Sequence, residues 1–134
     1  SSGGGIAPDE PIQPECPDDA ETDVPLIQLA WGRSGDKGDK ANIGIIARKD
    51  EYLPYIWASL SEKRVASVFS HFLADQQAVE RFYLPGPKAI NFVLDNVLGG
   101  GGVASLRNDP QGKGYAQILL ACPIPVSTAI AEAL

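Results

Sequence analysis

The chain has 134 residues, of which 44 % are hydrophobic, so it is long enough to bury the core of one domain. Its net charge of −6 arises in residues 1–25, which carry seven acids and no base, whereas residues 26–134 carry eleven bases and ten acids. This balance argues against a nucleic-acid surface, which needs a clustered excess of bases, and no apolar run approaches the ~18 residues of a membrane span.

The acidic N-terminal segment, residues 1–24, is rich in proline and glycine and lacks periodic apolar residues, so we predict a disordered leader or linker. Residues 25–125 are predicted to form one α+β domain, and residues 126–134 a C-terminal tail. No basic region followed by an apolar stretch resembles a secretory signal, so we expect a cytoplasmic location. The sequence has no methionine, which is typical of a fragment, a processed form or an excised domain.

Apolar periodicity in the first half of the domain predicts two strands followed by two helices. The strands cover Leu26–Trp31 and Asn42–Arg48, and the polar segment Arg33–Ala41 between them is predicted to be a loop. The helices cover Asp50–Leu60 and Glu62–Leu73. Their predicted N-caps are Asp50 and Ser61.

The second half is predicted to contain a strand, a helix and a hairpin. Strand Val79–Leu84 ends at the turn Pro85–Gly86–Pro87, and helix Lys88–Leu98 follows it. Strands Gly102–Arg107 and Tyr115–Cys122 are joined by a connection rich in turn residues, which favours a hairpin. Together these elements predict an α+β sandwich with a mixed or antiparallel sheet and helices packed mainly on one face.

The polar segment between the first two strands is the strongest local signal for chemistry. Its glycines allow the backbone to turn and to expose N–H groups, which form an anion-binding concavity. Arg33, Lys37 and Lys40 add positive charge, and a guanidinium can hold a carboxylate or phosphate through two hydrogen bonds. Asp36 and Asp39 can orient these bases, and they are the candidates for a general acid or base. The alternative is a solvated loop whose charges pair with one another.

Sharper motifs are excluded in this segment. It contains no P-loop, because the pattern Gly-x-x-x-x-Gly-Lys-Ser/Thr does not occur. It is not a nucleophile elbow, since Ser34 lacks a glycine two positions later. Its acids are interleaved with lysines, which is unlike an EF-hand and unfavourable for a divalent cation. We therefore expect neither a metal nor a bound cofactor.

Three later positions extend the predicted anion site. Lys88 and Asn91 would lie in the first turn of the helix after the proline turn, and the free N–H groups of a helix N-terminus attract anions. Arg107 follows the glycine run Gly99–Gly102, where a backbone can approach a ligand closely. The alternatives are an ordinary capped helix and a helix stop followed by a flexible crossing.

Three motifs follow one another along the domain. They are LAWGRSGDKGDKANIGIIAR at residues 29–48, LPGPKAINF at residues 84–92 and LGGGGVASLRNDPQGK at residues 98–113. With these motifs, the segment from about Val24 to Pro125 resembles the C-terminal AtuA-like domain of the acyclic terpene utilisation AtuA family. The resemblance implies a ferredoxin-like fold and a larger N-terminal domain as partner. It also implies a link to the bacterial breakdown of acyclic terpenes and related branched acyl compounds as CoA thioesters.

Two hypotheses about function follow. The first is a ligand-binding domain or small subunit of an enzyme that acts on acyl-CoA or branched carboxylic substrates, with a small anionic ligand and a CoA thioester as candidate substrate. The second is a non-catalytic module that forms a homo- or hetero-oligomer or docks the larger AtuA-type domain. The ligand-binding residues expected under the first hypothesis are Arg33, Ser34, Lys37, Lys40, Asn42, Lys88, Asn91 and Arg107.

Overall fold

The computed structural model describes residues 14–15, 17–37, 40–70, 78–95 and 113–134, without the side chains at positions 36, 37 and 113. Its strands are β1 (Thr22–Pro25), β2 (Ala30–Lys37), β3 (Lys40–Ala47), β4 (Val79–Leu84), β5 (Ala89–Leu94) and β6 (Pro123–Val126). Its helices are α1 (Leu53–Ser59), α2 (Glu62–Val68), α3 (Lys113–Leu120) and α4 (Thr128–Ala133). Short 3₁₀ helices at Leu26–Gln28 and Asp50–Tyr52 precede β2 and α1.

The main sheet has four strands in the order β2-β3-β5-β4, and every neighbouring pair is antiparallel. Strands β2 and β3 form one hairpin, β4 and β5 form another, and the hairpins meet where β3 pairs with β5. A separate two-stranded sheet joins β1 to β6. The fold is thus α+β with antiparallel sheets, as predicted, and it is consistent with a ferredoxin-like fold.

One face of the main sheet, the covered face, packs against the helices. Because side chains alternate along a strand, every second residue of β3 and β5 points to this face, including Ile43, Ile90 and Phe92, which are 0 % exposed. Burial of each such side chain stabilises the fold by about 1.5–3 kcal/mol. Helix α3 packs close to β2 at Gly32, where a Cβ atom would lie 3.2 Å from Leu120 Cδ1. Gly32 therefore sets how closely this helix approaches the sheet.

The opposite face of the sheet, the open face, is not covered by the described helices. Trp31, Phe82 and Leu84 lie on it and remain 53 %, 45 % and 44 % exposed. Its residues, in strand order, are Trp31, Arg33 and Gly35 of β2, Lys40, Asn42, Gly44 and Ile46 of β3, Ala89, Asn91 and Val93 of β5, and Glu80, Phe82 and Leu84 of β4.

Arg81, on the covered face, ties the helices to the edge strand β4. Its Nη1 donates to the backbone oxygens of Trp57 at 2.6 Å and Leu60 at 2.9 Å, and its guanidinium lies 3.5 Å from the centre of the Trp57 ring. Burial lowers the pKa of Arg81, and the nearby carboxylate of Glu62 opposes that shift. The guanidinium of Arg81 therefore has a structural role, because its contacts hold the helices to the sheet.

The predicted loop Arg33–Ala41 is wrong for most of its length, because the segment continues both strands of a hairpin. Strand β2 runs to Lys37 and β3 begins at Lys40, and the two are paired along their full lengths. The predicted strand Leu26–Trp31 is displaced, since Leu26–Gln28 forms a 3₁₀ turn. The polar and glycine residues of β2 are weak strand formers, but pairing with the apolar strand β3 overrides that preference.

The predicted helix Lys88–Leu98 is also wrong, because Ala89–Leu94 is strand β5. The buried residues Ile90, Phe92 and Leu94 recur with a period of two, which is the strand period. The turn Pro85–Gly86–Pro87 precedes Lys88, whose φ is 56°. This left-handed conformation reverses the chain from β4 into β5 rather than starting a helix.

The predicted strand Tyr115–Cys122 is helix α3, so the predicted hairpin is wrong as well. Tyr115, Ala116, Leu119 and Leu120 are buried together, which is the spacing of a helix face. The predicted partner strand Gly102–Arg107 lies outside the described residues.

The predicted helices Asp50–Leu60 and Glu62–Leu73 are confirmed in type, as α1 (Leu53–Ser59) and α2 (Glu62–Val68). Ser61 caps α2, as predicted, because its hydroxyl accepts from the Arg64 N–H at 3.1 Å. Asp50 lies inside the 3₁₀ turn before α1 rather than at an N-cap. Ordered structure also extends beyond the predicted bounds 25 and 125, since β1 begins at Thr22 and α4 covers Thr128–Ala133.

Candidate functional site

The open face carries a row of four residues that face one another across the sheet. Arg33 pairs with Gly44, Gly44 with Asn91, and Asn91 with Phe82. Neighbouring strands are about 4.8 Å apart, so Arg33 and Asn91 stand roughly 10 Å apart with only backbone between them. A Cβ atom placed on Gly44 would meet nothing within 4 Å. The space above Gly44 is therefore bordered by the charged side chain of Arg33 on one side and by the amide of Asn91 on the other.

This space lies at the floor of a cleft of about 340 Å³, the Gly44 cleft. It is lined by Arg33, Ser34, Gly35, Asn42, Gly44 and Asn91. The structure thus brings together Arg33, Ser34, Asn42 and Asn91, which the sequence analysis named from two separate parts of the chain. Gly35 and Gly44 complete the lining without side chains.

Arg33 is the charged group of the cleft. Its side chain is exposed, and no carboxylate among the described side chains lies within ion-pair distance of it. Asn42 and Asn91 each present an amide that can donate or accept a hydrogen bond. Positive charge flanked by amides is complementary to a carboxylate or a phosphate oxygen.

Ser34 was predicted to bind the ligand, but its hydroxyl points away from the cleft. Its hydroxyl lies on the covered face and accepts from the Ala116 N–H of α3 at 3.4 Å. Its backbone therefore borders the cleft while its side chain helps to hold α3 against β2.

The two described lysines of the predicted site are held in ion pairs and do not line the cleft. Lys40 Nζ lies 3.3 Å from Asp95 Oδ1, and Lys88 Nζ lies 2.8 Å from Asp50 Oδ2. The hydrogen bond to Asp50 and its negative charge raise the pKa of Lys88. Lys88 lies in the turn between β4 and β5, so no helix N-terminus lies at the position predicted for it.

The remaining predicted residues are not tested. The backbone of Asp36 and Lys37 lies in β2, while their side chains, like Asp39, Arg107 and the run Gly99–Gly102, lie outside the described residues. Their roles as acid, base or anion ligands stay predictions.

The sequence analysis missed Gly44 and the apolar residues beside the cleft. A glycine inside a strand often marks close approach of a ligand, and this signal was available at Gly44 between two isoleucines. Trp31 lies one row from the cleft, with the Arg48 guanidinium 4.7 Å from its ring centre. Phe82 completes the row of Arg33. These side chains border the polar cleft with apolar surface.

Two further properties concern the described residues only. Among them, no group of three His, Cys, Asp or Glu side chains could hold a metal ion. No helix in the described ranges is long and apolar enough to cross a membrane.

Comparison with known families identifies the domain. The model of the AtuA ferredoxin-like domain matches residues 24–125, a range that contains every strand of the main sheet. The chain belongs to the AtuA ferredoxin-like domain family. This confirms the resemblance drawn from the three sequence motifs. Comparison with curated proteins and with solved structures gives no match.

Proposed function

We propose that this AtuA ferredoxin-like domain binds the anionic group of a branched acyl substrate in the Gly44 cleft. The observation that supports the proposal is the exposed Arg33 guanidinium, which has no described carboxylate partner. It lies next to Gly44, where a Cβ atom would meet nothing within 4 Å. The ligand would be a carboxylate or a phosphate, the two anions that a guanidinium binds through paired hydrogen bonds.

Each group of the cleft has a separate task in this proposal. Arg33 holds two oxygens of the anion, while the amides of Asn42 and Asn91 donate to the oxygens that remain. A hydrogen bond to a charged group contributes about 1.5–3 kcal/mol. Gly44 leaves room for the anion above the sheet, because it has no side chain.

The apolar border of the cleft favours a ligand with an apolar body. Trp31 and Ile46 lie side by side in the next row of the open face, and Leu84 lies at the other end of that row. A branched acyl chain that starts at Arg33 would lie over these side chains and remove them from water. Each buried CH₂ group contributes about 0.8 kcal/mol.

We further propose that the domain works as part of an enzyme of acyl-CoA or branched-acid catabolism. A CoA thioester is the candidate substrate, and a larger AtuA-type domain or subunit is the candidate partner. Asp36 and Asp39 remain the candidate general acid or base of this proposal.

The second candidate function is a non-catalytic module for docking or oligomerisation. The exposed Trp31, Phe82 and Leu84 favour it, because large apolar side chains on one face often mark an interface. The two candidates differ in what they require of Arg33, since only the first needs its charge.

Isothermal titration calorimetry on the chain tests the first candidate with four probes, namely inorganic phosphate, 3-methylbutanoate, free CoA and 3-methylbutanoyl-CoA. We expect Arg33→Ala to weaken binding of 3-methylbutanoate by about 10- to 100-fold. Arg33→Lys should retain part of the affinity, since it keeps the charge and loses the paired geometry. The control Lys63→Ala removes an exposed charge on α2 and should leave the affinity unchanged.

The pattern over the probes distinguishes the sources of the anion. Binding of the free carboxylate points to the acid itself, whereas binding of CoA and phosphate alone points to the phosphate groups of a thioester. Equal affinity of Arg33→Ala and the unchanged chain for every probe would contradict the proposed site and favour the docking module.

A further inference from the structure

The main sheet has an internal symmetry that bears on its open face. Its strand order places β2 and β4 at the edges and β3 and β5 in the centre. A two-fold axis that runs along the strands, above the boundary of β3 and β5, would lay β3 of one copy over β5 of another. The same rotation lays β2 over β4.

This rotation brings complementary residues together in two rows of the open face and at one end of the sheet. In the row of the Gly44 cleft, Gly44 of one copy would face Asn91 of the other, and Arg33 would face Phe82. The amide of Asn91 fits the space that Gly44 leaves empty. A guanidinium above an aromatic ring is a favourable contact, because the face of the ring is electron-rich.

The neighbouring row matches apolar groups with apolar groups. Trp31 would face Leu84 of the other copy, and Ile46 would face Ala89. Trp31 and Leu84 are 53 % and 44 % exposed in the single chain, so this contact would remove both from water.

The end of the sheet matches opposite charges. Lys40 and Asp95 are neighbours within one chain, at 3.3 Å, and the rotation would place Lys40 of each copy beside Asp95 of the other. The side chain of Asp95 is still 29 % exposed beside Lys40, so its carboxylate can also contact a second cation. Four charges of alternating sign would then form a closed ring.

We propose that the open face is a self-association surface, on which a second copy of this chain packs about a two-fold axis along the strands. Four strands of about six residues give the face a projected area of roughly 400 Å². This is below the ~800 Å² per partner of a standard interface, so the dimer is reversible and forms at high concentration.

The self-association proposal is tested independently of the anion site, because the experiment measures the mass of the particle and not ligand binding. Sedimentation velocity of the full chain, over concentrations up to about millimolar, should show a monomer that converts reversibly to a dimer. Phe82→Ser should weaken the dimer by tenfold or more. The control Ile27→Ser removes an exposed apolar side chain outside the open face and should leave the dimer unchanged.

A charge exchange tests the two-fold arrangement directly. Lys40→Glu alone and Asp95→Lys alone should each stay monomeric, because like charges would meet twice across the interface. An equimolar mixture of the two variants should form a heterodimer, because the glutamate introduced in one variant then meets the lysine introduced in the other. Thermal unfolding of each variant verifies that the sheet remains folded.

Three outcomes would overturn the proposal. They are a chain that remains monomeric at every concentration, a dimer that Phe82→Ser does not weaken, and a mixture of the charge variants that stays monomeric while each variant is folded.

Discussion

The two faces of the main sheet carry the same residue types, but these residues are packed on the covered face and accessible on the open face. Gly32 and Gly44 lie in neighbouring strands, but a Cβ on Gly32 would press against Leu120, whereas one on Gly44 would meet nothing. Arg81 on the covered face is bound to two backbone oxygens, whereas Arg33 on the open face is exposed in the cleft. Residue type alone therefore does not decide whether a residue packs against a neighbour or stays accessible. The face of the sheet to which the residue points decides it.

Among substitutions on the two faces, those of the two phenylalanines should differ most in their effect on the free energy of unfolding. Phe92 is 0 % exposed on the covered face, and Phe82 is 45 % exposed on the neighbouring strand. We expect Phe92→Ala to lower the free energy of unfolding by about 3–5 kcal/mol, because it leaves a cavity in the core. Phe82→Ala should change it by less than about 0.5 kcal/mol. Urea denaturation measures both, and similar losses would show that the open face is covered in the folded chain.

The arginines give the next contrast. Arg81→Ala leaves the backbone oxygens of Trp57 and Leu60 without their donor, and we expect a loss of about 1–2 kcal/mol in the free energy of unfolding. Arg33→Ala should leave stability within about 0.5 kcal/mol, since the side chain is exposed. Urea denaturation of the two variants at equal pH and salt provides the measurement. A large loss in Arg33→Ala would assign this residue to the fold and remove the basis of the anion site.

The glycines give the smallest individual changes in stability, and these changes have opposite sign. Gly32→Ala should cost about 1 kcal/mol or more, since Ile45 and Leu120 must both move to admit the methyl group. Gly44→Ala should stabilise the chain by about 0.4–1 kcal/mol, because alanine restricts the unfolded chain and meets no neighbour. Thermal unfolding in parallel measures the two changes, and a destabilised Gly44→Ala would mean that the cleft is already filled.

A bulkier substitution at Gly44 connects stability to binding. Gly44→Val adds a side chain to the cleft floor, and valine suits a strand, so the fold should be retained. The affinity for 3-methylbutanoate should fall as it does for Arg33→Ala. Gly86→Ala is the matched control, because a Cβ there also meets nothing and the turn lies away from the cleft. Unchanged affinity in Gly44→Val would place the ligand elsewhere.

Sequence reasoning predicted the side chains that line the cleft more reliably than the elements that carry them. Arg33, Asn42 and Asn91 were predicted, although Arg33 was assigned to a loop and Asn91 to a helix. Their residue types suit an anion in any backbone conformation, so the errors in secondary structure did not remove them. Their convergence could not be predicted, because it depends on the pairing of β3 with β5, which joins residues far apart in the chain.

The errors at β5 and α3 share a physical cause. Ala89–Leu94 and Tyr115–Leu120 are short, almost wholly apolar runs, in which strand and helix periods both leave apolar residues buried. Tertiary contacts decide between them: β5 has a strand on each side, whereas α3 packs on the edge of the covered face. The confirmed strand Val79–Leu84 and the confirmed cap Ser61 had a clear local signal, which needed no partner.

The pairing of β1 with β6 determines how the domain responds to force. Thr22 is paired with Val126, so the start of β1 and the end of β6 lie side by side, next to the contact between the hydroxyls of Thr22 and Thr128. Tension applied at the two flanking segments would pull across the strands rather than along them. The two-stranded sheet would then unzip one residue pair at a time, while the main sheet carries little of the load. The domain would therefore open first at this strand pair, which removes Val24, Ile124 and Val126 from the core, while the Gly44 cleft on the main sheet stays intact.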